Sequence, residues 1–146
     1  NFRMTEISGS IGLAQISRLD FIISENTNRY QVILEAFAKE GLEDIVRDIP
    51  AGSTPSFDTF IFKVTDEAKR KEVVKLLNTV TGCKNLPGAI NWHCSFYWDH
   101  IINTDNNKSA SDTLALLRQH IAIPISLKIS IETYSQLSSR IVSFLK

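Results

Sequence analysis

Apolar residues recur at three- and four-residue steps through residues 1–40, and this period constrains the fold more than any other feature. They are Met4, Ile7, Ile11, Ala14, Leu19, Ile22, Ile23, Tyr30, Ile33, Leu34 and Phe37. This spacing gathers apolar side chains on one face of an α-helix, so it predicts a single long helix over residues 1–40. Gly41 is the expected end of that helix, because glycine adopts the conformation that often follows a helix.

Small residues are concentrated near the start of this helix, at Ser8, Gly9, Ser10 and Gly12. Glycine in a helix interior costs about 1 kcal/mol relative to alanine. We expect close packing against another backbone to offset this cost, as in a dimer.

Residues 41–146 predict a small domain in which a few strands alternate with helices. "LEDIVRDIP" indicates a short strand or extended segment, and "FDTFIFKV" a strand whose apolar face contains Phe60, Phe62 and Val64. Thr65 or Asp66 is expected to cap the next helix. The core face of that helix is expected to comprise Ala68, Val73, Leu76, Leu77 and Val80.

The C-terminal part predicts a helix, a strand and a closing helix. Ser109 or Ser111 would begin the first helix, and "IAIPISLKIS" forms a strand that runs into Pro124 and a turn. Ser130 and Thr133 are candidate caps of the closing helix, whose inner face is expected to contain Ile141, Phe144 and Leu145. The expected fold class is therefore α/β (α+β): one long helix, then a small sheet covered by helices.

Composition excludes several classes of protein. The chain has 146 residues, which suits one domain, with 16 basic and 16 acidic residues. This balance argues against a nucleic-acid-binding protein, which usually has a basic excess. No apolar run reaches the roughly 18 residues of a membrane span. With only Cys83 and Cys94, a disulfide framework is not expected, and the default location is a reducing cytoplasm.

The stretch "NWHCSFYWDH" is the densest collection of chemically useful side chains, and three interpretations stay open. It contains four residues of metal-binding types, His93, Cys94, Asp99 and His100, but their spacing matches no standard zinc pattern. Alternatively, Trp92 and Trp98 form a wall of a ligand pocket, with flat faces for a sugar or a ring. In the third interpretation the stretch is an aromatic loop whose histidines bond to neighbouring groups.

Asn1 and Arg3 form a second candidate site, at the start of the first helix. Free N–H groups and the helix dipole favour a phosphate or carboxylate at such a position, and Arg binds carboxylates through two hydrogen bonds. The simpler alternative is a helix cap beside a surface arginine.

A family resemblance bears on these alternatives. The chain resembles the DegT/DnrJ/EryC1/StrS family, pyridoxal-phosphate (PLP) aminotransferases that act on nucleotide-linked keto-sugars. The matching positions are Asn1, Arg3, Met4, Glu6, Gly12, Leu13, Ala14, Gln15, Leu19, Asp20, Arg29 and Tyr30. "STPSFDTFIFKV", "EAKRKEVVKLLN" and "RQHIAIPISLKISIETYSQLSSRIVSFLK" then resemble later family segments in order, so the resemblance covers essentially the whole chain.

The resemblance implies the C-terminal part of a type I PLP enzyme. Residues 1–40 would form the inter-domain helix and residues 41–146 the small domain. By the same resemblance, Asn1 would reach the cofactor phosphate of the neighbouring subunit, and Arg3 would lie near a substrate or amino-donor carboxylate. His93 would occupy the substrate-side histidine position, next to Trp92. A homodimer is implied, because two chains build each active site.

The chain also departs from the family pattern. In the family, the Schiff-base lysine and the Asp that pairs with the pyridine nitrogen precede the Asn-x-Arg-Met motif. Those positions lie before Asn1, so the large PLP-binding domain is expected to be missing and no lysine here is assigned a catalytic role. We therefore expect an inactive C-terminal fragment that binds no cofactor by itself and exposes apolar helix surface. Such exposure is also expected to cause self-association or instability.

The intact enzyme is expected to transfer an amino group, from glutamate, to a nucleotide-linked keto-sugar in amino-sugar or surface polysaccharide synthesis. Three alternatives remain. One is a dehydratase of the same family, in which histidine replaces the Schiff-base lysine. Another is a stand-alone, non-enzymatic module for dimerisation or ligand binding. The third is a metal-dependent hydrolase built on His93, Cys94 and His100.

Overall fold

A computed structural model of the chain describes residues 4–82 and 107–146, with side chains from residue 111 onward in the second range. The described parts contain five α-helices, one short 3₁₀ helix and two strands. In chain order these are α1 (Glu6–Ile16), α2 (Leu19–Lys39), a 3₁₀ turn (Glu43–Ile45), β1 (Thr59–Lys63), α3 (Glu67–Asn78), α4 (Asn107–Arg118), β2 (His120–Pro124) and α5 (Ile131–Leu145).

The predicted single helix over residues 1–40 is wrong in one respect: it is two helices, interrupted at Ser17 and Arg18. The Ser17 hydroxyl donates to the carbonyl of Ala14 at 2.8 Å. The Arg18 amide bonds to the carbonyl of Gln15, only three residues earlier, and Arg18 leaves helical geometry with φ −105° and ψ 2°. Serine side chains compete with the helix for backbone carbonyls in this way. The predicted stop is confirmed, since Gly41 has φ 69°.

The two strands form an antiparallel pair, with Thr59 opposite Pro124 and Lys63 opposite His120. The alternation predicted for "FDTFIFKV" is confirmed, because Phe60, Phe62 and Val64 are buried. The preceding segment "LEDIVRDIP" is a 3₁₀ turn that leads into an extended residue, Val46, which bridges to Phe62.

The hydrophobic core lies where α2, α5 and the sheet meet. Four aromatic rings form a continuous row: the Tyr30 and Phe60 centroids are 4.9 Å apart, those of Phe60 and Phe37 5.2 Å, and those of Phe37 and Phe62 5.0 Å. Tilted aromatic pairs at these distances add to the stabilisation that burial provides. The mixed fold class, a small sheet with helices packed against it, is thereby confirmed.

The helix caps agree only in part with expectation. Asp66, rather than Thr65, caps α3 by accepting from the amides of Ala68 and Lys69. Ser130 caps α5 by accepting from the Thr133 amide at 3.1 Å. The predicted starts of α4 were wrong, since this helix begins at Asn107.

Three predicted core residues lie at the surface instead. Ala68 and Val80 are exposed because they fall at the two ends of the α3 core stripe, where no neighbour covers them. Phe144 is exposed for the same reason, one position before the last residue of α5. No helix in the described ranges is long and apolar enough to cross a membrane.

Candidate functional site

The four residues predicted to form the site lie outside the described part of the chain. Asn1 and Arg3 directly precede it, and Trp92 and His93 fall within residues 83–106. The metal-ligand candidates Cys94, Asp99 and His100 also fall there. Among the described residues, no group of three or more His, Cys, Asp or Glu side chains is arranged to hold a metal ion.

Helix α1 is the described element closest in sequence to Asn1 and Arg3. Thr5 caps it: its hydroxyl oxygen accepts from the Ser8 amide at 3.2 Å and donates to the Ser8 hydroxyl at 2.8 Å. A capped first turn fixes where the helix starts and how the preceding chain enters it. Thr5 therefore fixes the position at which α1 begins.

The surface of α1 is unusually apolar for a helix of a small protein. None of its residues is buried within the described chain. Large apolar side chains project outward, with exposed fractions of 74% for Ile7, 59% for Ile11, 72% for Leu13 and 68% for Ile16. Met4, Leu19 and Phe21 extend the same exposure to either side. The expectation that the first helix exposes apolar surface is confirmed for α1, and this much exposed apolar surface is typical of an interaction surface.

Glycine adds to this surface. A Cβ atom added to Gly12 would meet nothing within 4 Å, and one added to Gly9 would meet only the sulfur of Met4 at 3.9 Å. The close backbone packing expected at these residues therefore does not occur within the described chain.

Helix α2 behaves differently, because it is anchored to the domain. Arg29 is buried, and its Nε donates to the Ile129 carbonyl at 3.0 Å. One terminal nitrogen, Nη1, donates to both the carbonyl and the carboxylate of Glu25, each at 2.8 Å. The part of residues 1–40 that is buried against the domain therefore lies within α2, and α1 has no buried residue.

Arg29 and Tyr134 form hydrogen bonds that stabilise the fold, and the sequence pattern did not predict these bonds. Arg29 appeared only as a matching position, and Tyr134 only as a residue of the closing helix. The Tyr134 hydroxyl accepts from the Ser126 amide at 2.9 Å and donates to the Pro124 carbonyl at 3.0 Å, so it fixes the turn after β2. A tyrosine at a core position of a helix gives no sequence signal that its hydroxyl will also bond to a turn.

The described lysines do not fit a cofactor site. Lys69 is half-buried and donates to the Leu145 carbonyl at 2.8 Å, Lys71 pairs with Glu67, and Lys146 pairs with Glu40. The remaining lysines with described side chains, Lys39, Lys63, Lys75 and Lys128, are exposed. A lysine that forms a Schiff base is usually held desolvated in a pocket. No lysine whose side chain the structure describes is placed that way.

Comparison with protein families identifies a match over nearly the entire chain. The model of the DegT/DnrJ/EryC1/StrS aminotransferase family matches residues 1–142. The match includes the segment around Asn1 and Arg3, helix α1, both strands and most of α5.

Proposed function

We propose that this chain, which belongs to the DegT/DnrJ/EryC1/StrS aminotransferase family, forms the C-terminal part of a PLP-dependent sugar aminotransferase. The enzyme would transfer an amino group from glutamate to a nucleotide-linked keto-sugar. The reaction would serve amino-sugar or surface polysaccharide biosynthesis in the cytoplasm. The family match over residues 1–142 is the observation that carries this proposal.

We also propose that the active site needs more protein than the described domain. The exposed apolar surface of α1 supports this. Ile7, Ile11 and Leu13 are each more than half exposed. Covering such side chains is favourable by about 25 cal/mol for each Å² of apolar surface removed from water. A large cofactor-binding domain and a second subunit of a homodimer are the proposed partners for this surface.

In this arrangement the residues before α1 take part in the site. PLP, when bound, supplies the electron sink for amino transfer. The Asn1 side-chain amide would donate a hydrogen bond to the cofactor phosphate of the neighbouring subunit. Arg3 would bind a carboxylate of the amino donor or substrate through two hydrogen bonds. Trp92 and His93 would contact the sugar and so contribute to substrate selection.

The experiment is a comparison of single variants in the full-length protein. Asn1→Ala is expected to weaken PLP binding by about 10- to 100-fold, since a hydrogen bond to a charged group contributes roughly 1.5–3 kcal/mol. Arg3→Gln is expected to raise the KM for glutamate with little change in PLP affinity. Asn78→Ala, at the last residue of α3, is the matched control and should change neither quantity.

The result that would overturn the proposal is also clear. If Asn1→Ala and Arg3→Gln both leave PLP affinity and the KM for glutamate at the values of the Asn78→Ala control, these residues have no part in the site. Trp92→Ala tests the sugar contact: an unchanged KM for the sugar together with an unchanged kcat would exclude the pocket-wall assignment.

A further inference from the structure

A cavity of about 380 Å³ lies beside α2, between that helix, the segment that precedes β1 and the sheet. Tyr30, Arg47, Ile49, Phe57 and Asp58 contribute to its wall. None of these residues belongs to the site proposed above. The volume is in the range of pockets that bind small molecules.

Tyr30 lies between the cavity and the hydrophobic core. It is 5% exposed, and among residues 4–82 and 111–146 no group forms a hydrogen bond with its hydroxyl. Its ring is held in place by Phe57 and Phe60, with centroid distances of 4.6 Å and 4.9 Å. The hydroxyl borders the cavity, where it can donate a hydrogen bond to a bound group.

Arg47 gives the cavity a positive charge. Its backbone amide bonds to the Ile61 carbonyl at 2.9 Å, which fixes the start of the side chain. Its guanidinium forms no ion pair within the described part of the chain, and it is close enough to Tyr30 to act on the phenol. Burial raises the pKa of Tyr30, and the Arg47 charge opposes that rise. The two groups therefore face the same space.

The backbone at Phe57 is strained. Phe57 has φ 50°, in the left-handed region that residues with a Cβ atom rarely adopt. The segment is held in this form by Asn26, which is buried and donates from Nδ2 to the Ser56 carbonyl at 3.1 Å. Strained residues of this kind are concentrated at ligand sites, where the surrounding structure maintains them. Here the strain places the Phe57 ring against Tyr30, in the cavity wall.

We propose that this cavity binds a small molecule that carries a carboxylate or phosphate group on a flat or apolar body. Arg47 and the Tyr30 hydroxyl donate hydrogen bonds to the anionic group, and Phe57 and Ile49 contact the body. Asp58, which accepts from the Ser56 hydroxyl at 3.3 Å, disfavours a second anionic group on its side of the cavity. This site is independent of the proposed amino transfer, because it uses none of the same residues.

Calorimetric titration of the full-length protein, with PLP present at saturation, tests this site. The probes are phenyl phosphate, benzoate and phenol, which share a ring and differ in the anionic group. We expect phenol to bind at least about tenfold more weakly than the better of the two anions, since an Arg–anion pair is a strong charge-assisted interaction. The affinities for phenyl phosphate and benzoate are then compared, to show whether the cavity prefers a phosphate or a carboxylate.

Variants assign the binding to these residues. Arg47→Gln is expected to weaken the preferred anion about tenfold, and Tyr30→Phe by a few-fold, without changing the affinity for phenol. Arg140→Gln, an exposed arginine on α5 outside the cavity, is the matched control. Near-ultraviolet circular dichroism confirms that Tyr30→Phe is folded. Equal binding of all three probes, no binding of any probe, or an Arg47→Gln protein that behaves like the control would each overturn the proposal.

Discussion

The guanidinium of Arg29 on α2 donates to the main-chain carbonyl of Ile129, 3.0 Å away, at the start of α5. These residues are a hundred positions apart in the chain, and the bond joins α2 to the turn that precedes α5. Arg29 is buried, and its charge is paired with the carboxylate of Glu25 on the same helix. The stability of the domain therefore depends on this contact.

Arg29→Met is expected to destabilise the protein by about 2–4 kcal/mol, because the half-buried Ile129 carbonyl loses its donor and Glu25 loses its partner. Lys71→Gln is the control, since its pair with Glu67 lies on the exposed face of α3. Urea unfolding followed by circular dichroism measures both. An Arg29→Met protein as stable as Lys71→Gln would show that the contact with Ile129 contributes nothing.

Tyr134→Phe removes only a hydroxyl, but two backbone groups depend on it. The Ser126 amide loses its acceptor and the Pro124 carbonyl loses its donor. We expect a loss of about 1–3 kcal/mol in the free energy of unfolding, with no change in helix content. Thr79→Ser is a conservative control measured in the same way, because serine keeps the hydroxyl that donates to the Leu76 carbonyl at 2.7 Å.

The pH dependence of stability follows from the same tyrosines. Burial raises the pKa of both Tyr30 and Tyr134 above the ordinary value of 10.0. A group whose pKa is raised in the folded state contributes stability below its unfolded pKa and loses that stability as the pH rises through the folded pKa. The protein should therefore lose stability above pH 10.0, with a smaller loss in Tyr134→Phe. Tyrosinate absorbance that shows all tyrosines ionising at their ordinary pKa would contradict this.

Because the apolar side chains of α1 are exposed, we expect substitutions there to change self-association and to leave the stability of the domain unchanged. Ile7→Gln combined with Leu13→Gln should reduce self-association in sedimentation, and leave the unfolding of the domain unchanged, because neither side chain is buried. Leu116→Gln, at an exposed apolar position on α4, is the matched control and should leave association unchanged. Equal association of the double variant and the control would show that α1 is not the contact surface.

Much of the domain could be predicted from local pattern. The alternation around Phe60 and Phe62, the cap at Ser130 and the stop at Gly41 depend on residues close in sequence, and the structure confirms them. The break at Ser17 could not be predicted in this way, because the apolar period continues across it. A hydroxyl that bonds to the carbonyl three residues earlier leaves no mark on that period.

The residues of the candidate site are harder to predict from sequence than the helices and strands. Asn1, Arg3, Trp92 and His93 were assigned from resemblance, and those assignments stay predictions. The cavity beside α2 was missed, because Tyr30 and Arg47 are separated by a helix end and a turn, and nothing in their spacing shows that they meet. A phenylalanine at positive φ, such as Phe57, is likewise invisible in sequence, since this conformation is typical of glycine.

Amino transfer to a sugar is tested by the amount of 2-oxoglutarate that the full-length protein forms from glutamate. The assay supplies PLP and a nucleotide-linked keto-sugar, and it measures the amino-sugar product in parallel. We expect equal amounts of 2-oxoglutarate and amino-sugar, both reduced in Arg3→Gln. Consumption of the keto-sugar without 2-oxoglutarate would indicate the dehydratase reaction, and no change in either compound would contradict the enzymatic assignment.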